Sequence, residues 1–363
     1  MTAIRTAIVG WGMSGACFHA PILADLPEFE IAAVVSARPE AVAADLPEVA
    51  VYPTVEALLA ASDVELVVVA SRNHEHFPQA RAALAAGRHV VVEKPFVLSS
   101  REGLELDRLA RAGGRMLAVY QVRRFDADVL TLARVIGEGA IGRPHTLVAR
   151  YDRWRPQVRD RWRERPGPGA GILWDLGPHL VDRALGLLGV PLTVSARLAT
   201  MRPGAGAVDH FHLVLGFEHA TAVLHADCLT LGPGPSLEVH GDRGSFVNYG
   251  LDVQEALLRR RRGPADPAWG RENDALRARL TRLAEDGSIV EETVPTEPGA
   301  YQRFYLGVAD AIRRGAASPV DAIAATRVVR VLETAEIADR DGRVVAYADP
   351  ALEAAATAEE PDR

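Results

Sequence analysis

The chain has 363 residues, 48% of them hydrophobic and 25% charged, and its 41 Lys and Arg against 48 Asp and Glu leave a net charge of −7. That length exceeds what one hydrophobic core usually supports, so two domains are expected, and the acidic balance argues against nucleic acid as a partner. Two cysteines, Cys17 and Cys228, give neither a disulfide framework nor a zinc-spaced cluster, so no metal is expected, and no apolar run reaches the roughly 20 residues that span a bilayer.

Met1 to Arg5 leads into a strand with no charged-then-apolar leader, which reads as a soluble, cytoplasmic protein. From Thr6 to about Val119, short apolar runs alternate with amphipathic segments. Thr6–Val9, Ile31–Val35, Leu66–Ala70, His89–Val92 and Met116–Val119 read as strands buried on both faces. Gly15–Leu26, Val55–Ala61, Glu75–Ala86 and Ser99–Ala112 read as the helices between them, with Gly87 and Gly113-Gly114 at C-cap positions. The alternation predicts a doubly wound parallel sheet with right-handed crossovers over residues 1–122.

The loops of this region carry motifs. Gly10, Gly12 and Gly15 have the G-x-G-x-x-G spacing behind a strand and before a helix, with Met13 and Ser14 inside the loop. Gly10 permits the tight turn, Gly12 the approach of a pyrophosphate, and Gly15 close packing of helix on strand; a glycine-rich turn without ligand is the plainer alternative. Where an NAD site usually has Asp or Glu, the second strand ends in Ser36-Ala37-Arg38. A guanidinium there favours the 2′-phosphate of NADP, held by Arg38 and Ser36, unless Arg38 is simply solvated. After Leu66–Ala70 come Ser71, Asn73 and His76 at the ligand-binding edge; Asn73 either caps the next helix or touches cofactor, His76 is the contact candidate, and His74 is surface. Glu93-Lys94-Pro95 follows His89–Val92 at the same edge. An ammonium at Lys94 would stabilise alkoxide character beside a bound nicotinamide, whereas elsewhere in the chain it would read as a surface lysine.

After about Val122 the pattern changes. A helix, Ala127–Glu138, leads into an extended run, Pro144–Tyr151, and an Arg/Trp/Pro-rich loop, Asp152–Pro168. Tyr151, Arg153 and Trp162 suit a polyol, since rings stack on C–H faces and guanidinium groups bind hydroxyls; a domain clamp or a solvated rim fits the same composition. A helix is expected from about Leu173 to Leu188. Asp175 and His179 share one face of it, one turn apart, and Pro178 places them near its start. Imidazole beside carboxylate suits a general base; a capping Asp with an unrelated His is the alternative. Thr193–Met201, His210–Phe217, Ala220–Leu229, Leu237–His240 and Ser245–Tyr249 read as consecutive strands of an antiparallel sheet, which makes residues 123–345 a second, α+β domain. Arg259–Arg262 reads as a solvated turn in a loop running to Gly270. Two helices close the domain, Tyr301–Arg313 and Ala322–Arg340, and residues 346–363 form an acidic tail expected to be flexible.

With Gly10–Gly15, Asn73/His76, Glu93-Lys94-Pro95 and Asp175…His179 in this order, the chain resembles the glucose–fructose oxidoreductase / inositol dehydrogenase / rhizopine-catabolism (Gfo/Idh/MocA) oxidoreductase family from Ile4 to about Arg340. Phe18-His19-Ala20-Pro21, Arg123-Arg124-Phe125-Asp126, Asp152-Arg153…Arg155-Pro156, Trp162-Arg163-Glu164 and Asp175-Leu176-Gly177-Pro178-His179 look like its branch of NADP-dependent scyllo-inositol dehydrogenases. The resemblance implies a Rossmann domain followed by a large, mostly antiparallel open sheet that often makes a homodimer or homotetramer. It implies that Lys94 contacts cofactor and substrate, that Asp175 assists it, and that His179 is the general acid/base. Gly10, Gly12, Met13, Ser14, Gly15, Ser36, Arg38, Ser71, Asn73, His76, Glu93 and Lys94 would then serve NADP, with NAD the alternative, and Arg123, Tyr151, Arg153 and Trp162 the substrate. The activity implied interconverts a secondary alcohol and a ketone on a cyclic polyol or sugar. The alternatives are a non-catalytic dinucleotide- and sugar-binding regulator, or the same chemistry on an aldose, a keto-sugar or a trans-dihydrodiol. Ser71-Arg72, Val122 and Trp154 depart from the residues common in the family, which are Thr-Pro, Asn and Tyr.

Overall fold

The computed structural model describes residues 2–232, 234–271 and 277–351. The described residues of Met1–Phe125, Val253–Trp269 and Ala300–Thr326 form one compact unit; those of Asp126–Asp252, Gly270–Gly299 and Arg327–Arg363 form a second. Two segments from the latter half of the chain therefore build the first unit, where a linear division at residue 122 would leave them out.

Six strands form the first unit's sheet: β1 (Ile4–Val9), β2 (Phe29–Val35), β3 (Ala50–Tyr52), β4 (Leu66–Val69), β5 (His89–Val92) and β6 (Leu117–Val119). Their order is β3-β2-β1-β4-β5-β6 and every pair is parallel. Val67, Val68, Val90 and Val91 are fully buried, as helix-covered faces require. The helices start where capping chemistry allows: Thr54 accepts from the Ala57 amide at 3.2 Å and Ser99 from the Arg101 amide at 3.3 Å. The helix after the glycine loop opens with a π-helical turn, Ser14–His19, before Ala20–Ala24.

Nine strands form the second unit's sheet: β7 (Pro144–Asp152), β8 (Thr193–Ala199), β9 (His210–Gly216), β10 (Thr221–Asp227), β11 (Leu237–Gly241), β12 (Gly244–Asn248), β13 (Arg279–Leu283), β14 (Ile289–Thr293) and β15 (Val345–Ala346). The order is β14-β13-β12-β11-β7-β10-β9-β8-β15; β7 and β10 run parallel and the other neighbours antiparallel. Alternation sorts the faces. Phe211, Leu213 and Leu215 of β9 and Ala222, Leu224 and Ala226 of β10 are fully buried under the helix Gly171–Leu188, while His212 is exposed.

That helix begins at Gly171, earlier than the sequence suggests, so Pro178 lies inside it and cannot return a hydrogen bond to the Trp174 carbonyl. At Gly177 it passes the helix Ala322–Asp341 so closely that a Cβ would stand 2.9 Å from Leu332 Cδ2. Tyr347 and Asp349, assigned by sequence to the flexible tail, are tied down. The Tyr347 amide donates to the Leu192 carbonyl at 2.9 Å, and Asp349 takes two 2.9 Å bonds from Arg327. The rest of the tail, from 352, lies outside the described residues. No described helix is long and apolar enough to cross a membrane.

Candidate functional site

In the first unit, β1 pairs with β2 on one side and β4 on the other, so strand order reverses there and the loops after β1 and β4 flank the crevice where such sheets bind ligands. Gly10 has φ 99°, and a Cβ on it would lie 2.8 Å from the Ala70 carbonyl oxygen; a Cβ on Gly15 would lie 2.0 Å from the Gly10 carbonyl oxygen. Gly12 differs: nothing stands within 4 Å of a Cβ there. Two glycines are thus required by the protein's own packing, and the third faces open space, as a loop that admits a pyrophosphate should. At the end of β2, Ser36 Oγ accepts the Arg38 amide at 3.0 Å, and Arg38 Nη2 donates to the Trp11 carbonyl at 3.0 Å. An arginine therefore reaches the glycine loop from the end of β2. These residues fit a nicotinamide dinucleotide.

Beneath the loop sits Glu93, buried at the end of β5. Its Oε1 receives the Ser14 hydroxyl and lies 3.2 Å from His19 Nε2, while Oε2 accepts the Lys94 amide at 2.8 Å. Burial pushes this carboxyl up, but His19, the Lys94 ammonium and the Ser14 hydroxyl overcome that and hold it at about 2. His19 Nδ1 pairs with the Tyr305 hydroxyl at 2.6 Å, and its ring packs 4.2 Å from that of Tyr120. Glu93 and Ser14 thus brace each other beneath the loop. His76 is buried, with Nδ1 2.8 Å from the Pro95 carbonyl and Nε2 3.4 Å from that of Ser71. Burial lowers its pKa, and a neutral imidazole has one N–H, which donates to the nearer carbonyl, that of Pro95. Ser71 Oγ binds Gln79 at 2.7 Å, and Asn73 is buried in the 3-10 turn Asn73–Glu75.

The segment Val253–Trp269 packs on this loop through buried Leu257 and Leu258, while Arg259–Arg262 are exposed, as the reading of a solvated turn expects. From the short helix Gln254–Leu258, Glu255 binds both Arg123 and Arg259. Arg259 reaches Met13 Sδ at 3.1 Å and lies over the Phe18 ring, and Arg261 pairs with Asp45 at 2.7 Å. Asp45 also accepts the Trp11 indole N–H at 3.2 Å. Arg123, a substrate candidate by sequence, is therefore held by a carboxylate of the same unit. Leu257, Leu258 and Trp269 are the segment's buried apolar side chains.

Lys94 belongs to the first unit, and Asp175 and His179 to the second. In the second unit the helix Gly171–Leu188 and β7 meet at the candidate base: the Tyr151 ring stands edge-on to the His179 ring, centroids 6.3 Å apart. Asp175 lies one turn earlier, 3.5 Å from Arg163 Nε. Asp175 also lines a small recess of about 20 Å³, partly open to solvent, with Arg153, Arg155, Arg161, Arg163, Glu164 and Arg202 around it. Arg153 lies over the Tyr151 ring at 5.8 Å; Trp162 stands back from the recess, under the Arg163 guanidinium at 4.6 Å. Sequence reading singles out Arg153 and Trp162 for substrate and has Arg155, Arg161 and Arg163 in the same Arg/Trp loop, but not Arg202.

On the opposite face of the sheet, His210, His225 and Asp227 bring potential ligand atoms within 4.8 Å of one another, and His225 lies 3.5 Å from Asp152. The Asp227 oxygens already accept the Leu229 and Thr230 amides and the Thr230 hydroxyl, so this carboxylate caps the turn after β10.

Residues 4–121 match the family model described as "Oxidoreductase family, NAD-binding Rossmann fold", and residues 129–247 match "GFO/IDH/MocA C-terminal domain". The chain is 41% identical over 330 residues to the uncharacterized oxidoreductase YdgJ of Escherichia coli, covering 91% of this chain and 94% of that one. It is 37% identical to the scyllo-inositol 2-dehydrogenase (NADP(+)) IolW of Bacillus subtilis, covering 94% and 95%. The solved structure of yvaA from Bacillus subtilis superposes with a TM-score of 0.91 at 36% identity, covering 95% of this chain and 99% of that one. The chain belongs to the Gfo/Idh/MocA family of NAD(P)-binding oxidoreductases. It is an oxidoreductase acting on a small molecule.

Proposed function

We propose that the protein is an NADP-dependent dehydrogenase that interconverts a secondary alcohol and a ketone on a cyclic polyol or sugar. The observation that carries this is the Asp175–His179 face of the helix Gly171–Leu188, with Asp175 at a polar recess and His179 against Tyr151. The similarity to a relative named as an NADP-dependent scyllo-inositol dehydrogenase supports both the substrate class and the cofactor. A nicotinamide dinucleotide held on the Gly10–Gly15 loop would supply the hydride acceptor for oxidation and the donor for reduction. His179 takes the hydroxyl proton in oxidation and returns it in reduction. The Lys94 ammonium stabilises the developing oxyanion, and Asp175 orients the proton-transfer partners. Glu93 fixes the Lys94 backbone through its amide. Arg38 and Ser36 hold the 2′-phosphate, and a face of the nine-stranded sheet makes a homodimer or homotetramer.

His179→Ala should lower kcat by about 10²–10⁴-fold on any polyol turned over, with the NADP dissociation constant little changed. A panel of inositols, aldoses and keto-sugars followed by nicotinamide absorbance identifies that substrate; a variant as fast as the wild type refutes the role. Arg38→Ala should cut kcat/KM with NADP by roughly tenfold or more, leaving NAD nearly unaffected. An equal loss with both cofactors would remove Arg38 from the phosphate site.

A further inference from the structure

The recess beside Asp175 carries more positive charge than a neutral polyol needs. Arg161 is neutralised by Glu164 at 2.6 Å, and Arg202 by Asp209 at 2.9 Å and Glu164 at 3.1 Å. Arg163 leans on Asp175 at the longer distance of 3.5 Å. Arg153 and Arg155 line the same recess, and neither forms an ion pair among the described residues. Both are partly withdrawn from water, a setting in which guanidinium groups normally find a carboxylate or a ligand. Burial, and then the charges of Arg153, Arg161 and Arg159, press the Arg155 guanidinium below the usual arginine range.

The helix adds to this. Gly171 and Ile172, the first two residues of the 18-residue helix, also line the recess. The Ile172 amide already donates to the Val208 carbonyl at 2.8 Å, but no acidic residue stands in the first turn, so the helix dipole still adds positive potential at this end. Two arginines without carboxylate partners line one opening, and one anionic group would satisfy them together, with the helix dipole behind it.

We infer that the substrate is an anionic sugar or polyol, whose carboxylate or phosphate monoester sits in this recess on Arg153, Arg155 and the start of the helix Gly171–Leu188. The inference rests on the polyol or sugar reading above and narrows it. The spacing fits: Asp175, at the recess, and His179 are four residues apart, about 6 Å along the helix axis, comparable to the separation of an exocyclic acid group from a ring carbinol. The anionic group takes no part in the oxidation. The carbinol carbon loses a hydride to the nicotinamide and its hydroxyl proton to His179, and the ketone forms with the acid group intact.

The test compares matched pairs with the full chain and NADP: scyllo-inositol against an inositol monophosphate, and glucose against glucuronate and glucose 6-phosphate. The expected result is a kcat/KM about tenfold to a hundredfold higher for an anionic member than for its neutral partner. Whichever acid wins separates carboxylate from phosphate. In Arg155→Gln the anionic-to-neutral ratio should fall towards one, and in the wild type the KM of the anionic substrate alone should rise with salt. Neutral substrates turned over as well as or better than anionic ones would overturn the inference while leaving the polyol reading standing. If no member of the panel turns over, that reading fails, and titration calorimetry of the NADP-loaded protein with glucuronate and glucose 6-phosphate decides the recess separately. Binding weakened by Arg155→Gln upholds it; no binding, or binding unchanged in the variant, overturns it.

Discussion

The three glycines of the loop look equivalent in sequence, yet the structure gives them different burdens. Gly15 has no room for a methyl group: the Gly10 carbonyl oxygen stands 2.0 Å from where it would go, and Ile8 Cγ2 stands 3.1 Å away. Gly12 has room and needs none of its own neighbours to move. Gly15→Ala should therefore destabilise the first unit by about 1–3 kcal/mol, as overpacking does, seen as a lower denaturation midpoint without cofactor. Gly12→Ala should leave that midpoint within about 0.5 kcal/mol of wild type while weakening NADP binding by roughly tenfold or more. Equal stability losses in both variants would mean that Gly12 serves the turn and not a ligand. The same separation of roles explains Glu93 and His76, which sequence assigned to the cofactor by position. Both stand at the correct edge of the sheet, but a buried carboxylate and a buried imidazole must first satisfy their own polar atoms, and their partners are Ser14, His19 and the Pro95 carbonyl.

At the scale of elements, Val253–Trp269 shows how a charged run becomes structural. Arg261 has φ 59°, a left-handed conformation that costs a residue with a Cβ about 1–2 kcal/mol, and its ion pair with Asp45 is half exposed, worth about 0–1 kcal/mol. Arg261→Gly should relieve the first and lose the second, giving near-wild-type stability. Arg261→Ala keeps the cost and loses the pair, so by urea denaturation it should be less stable than the glycine variant by about 1 kcal/mol. The reverse order would show that the turn does not need the left-handed geometry. Arg259–Arg262 are exposed, as the run suggests, but nothing in it shows which groups they reach, because Phe18, Met13 and Asp45 lie more than 200 positions away. Elements with strong local signals were legible: the valine-rich β4 and β5, the alternating β9 and β10, and the capped helices at Thr54 and Ser99. The three-residue β3 is too short to show a period. In β13 and β14, Arg279, Arg282, Glu291 and Glu292 mask the alternation expected of a strand. The catalytic candidates were legible as motifs, but the arginine recess was not, since Arg153, Arg155, Arg163 and Arg202 converge only once Asp152–Pro168 and the turn after β8 have folded.

For the whole molecule, chain connectivity sets what can fold alone. A boundary at residue 122 suggests that the dinucleotide-binding half is an independent fragment. Its core, however, is completed by residues 300–326. Phe304 and Tyr305 are fully buried there, the rings of Tyr120 and Phe304 meet at 5.0 Å, and the Tyr305 hydroxyl supplies the partner of His19, which in turn sits against Glu93. The Val119 amide donates to the Val320 carbonyl at 3.1 Å, and Thr326 packs so tightly on Gly103 that a Cβ there would meet its Oγ1 at 2.3 Å. Removing two fully buried aromatics exposes their apolar contacts and leaves a buried histidine nitrogen and the outer edge of β6 without partners, a loss of several kcal/mol. That is a large share of the roughly 5–15 kcal/mol by which a domain is stable. A fragment ending at residue 122 should therefore lack a cooperative thermal transition and bind hydrophobic dyes, whereas the same fragment fused through a flexible linker to residues 300–326 should regain both cooperativity and NADP binding. Cooperative unfolding of the 1–122 fragment, with native dinucleotide affinity, would show that the Rossmann sheet carries its own core and that the returning helix only covers it.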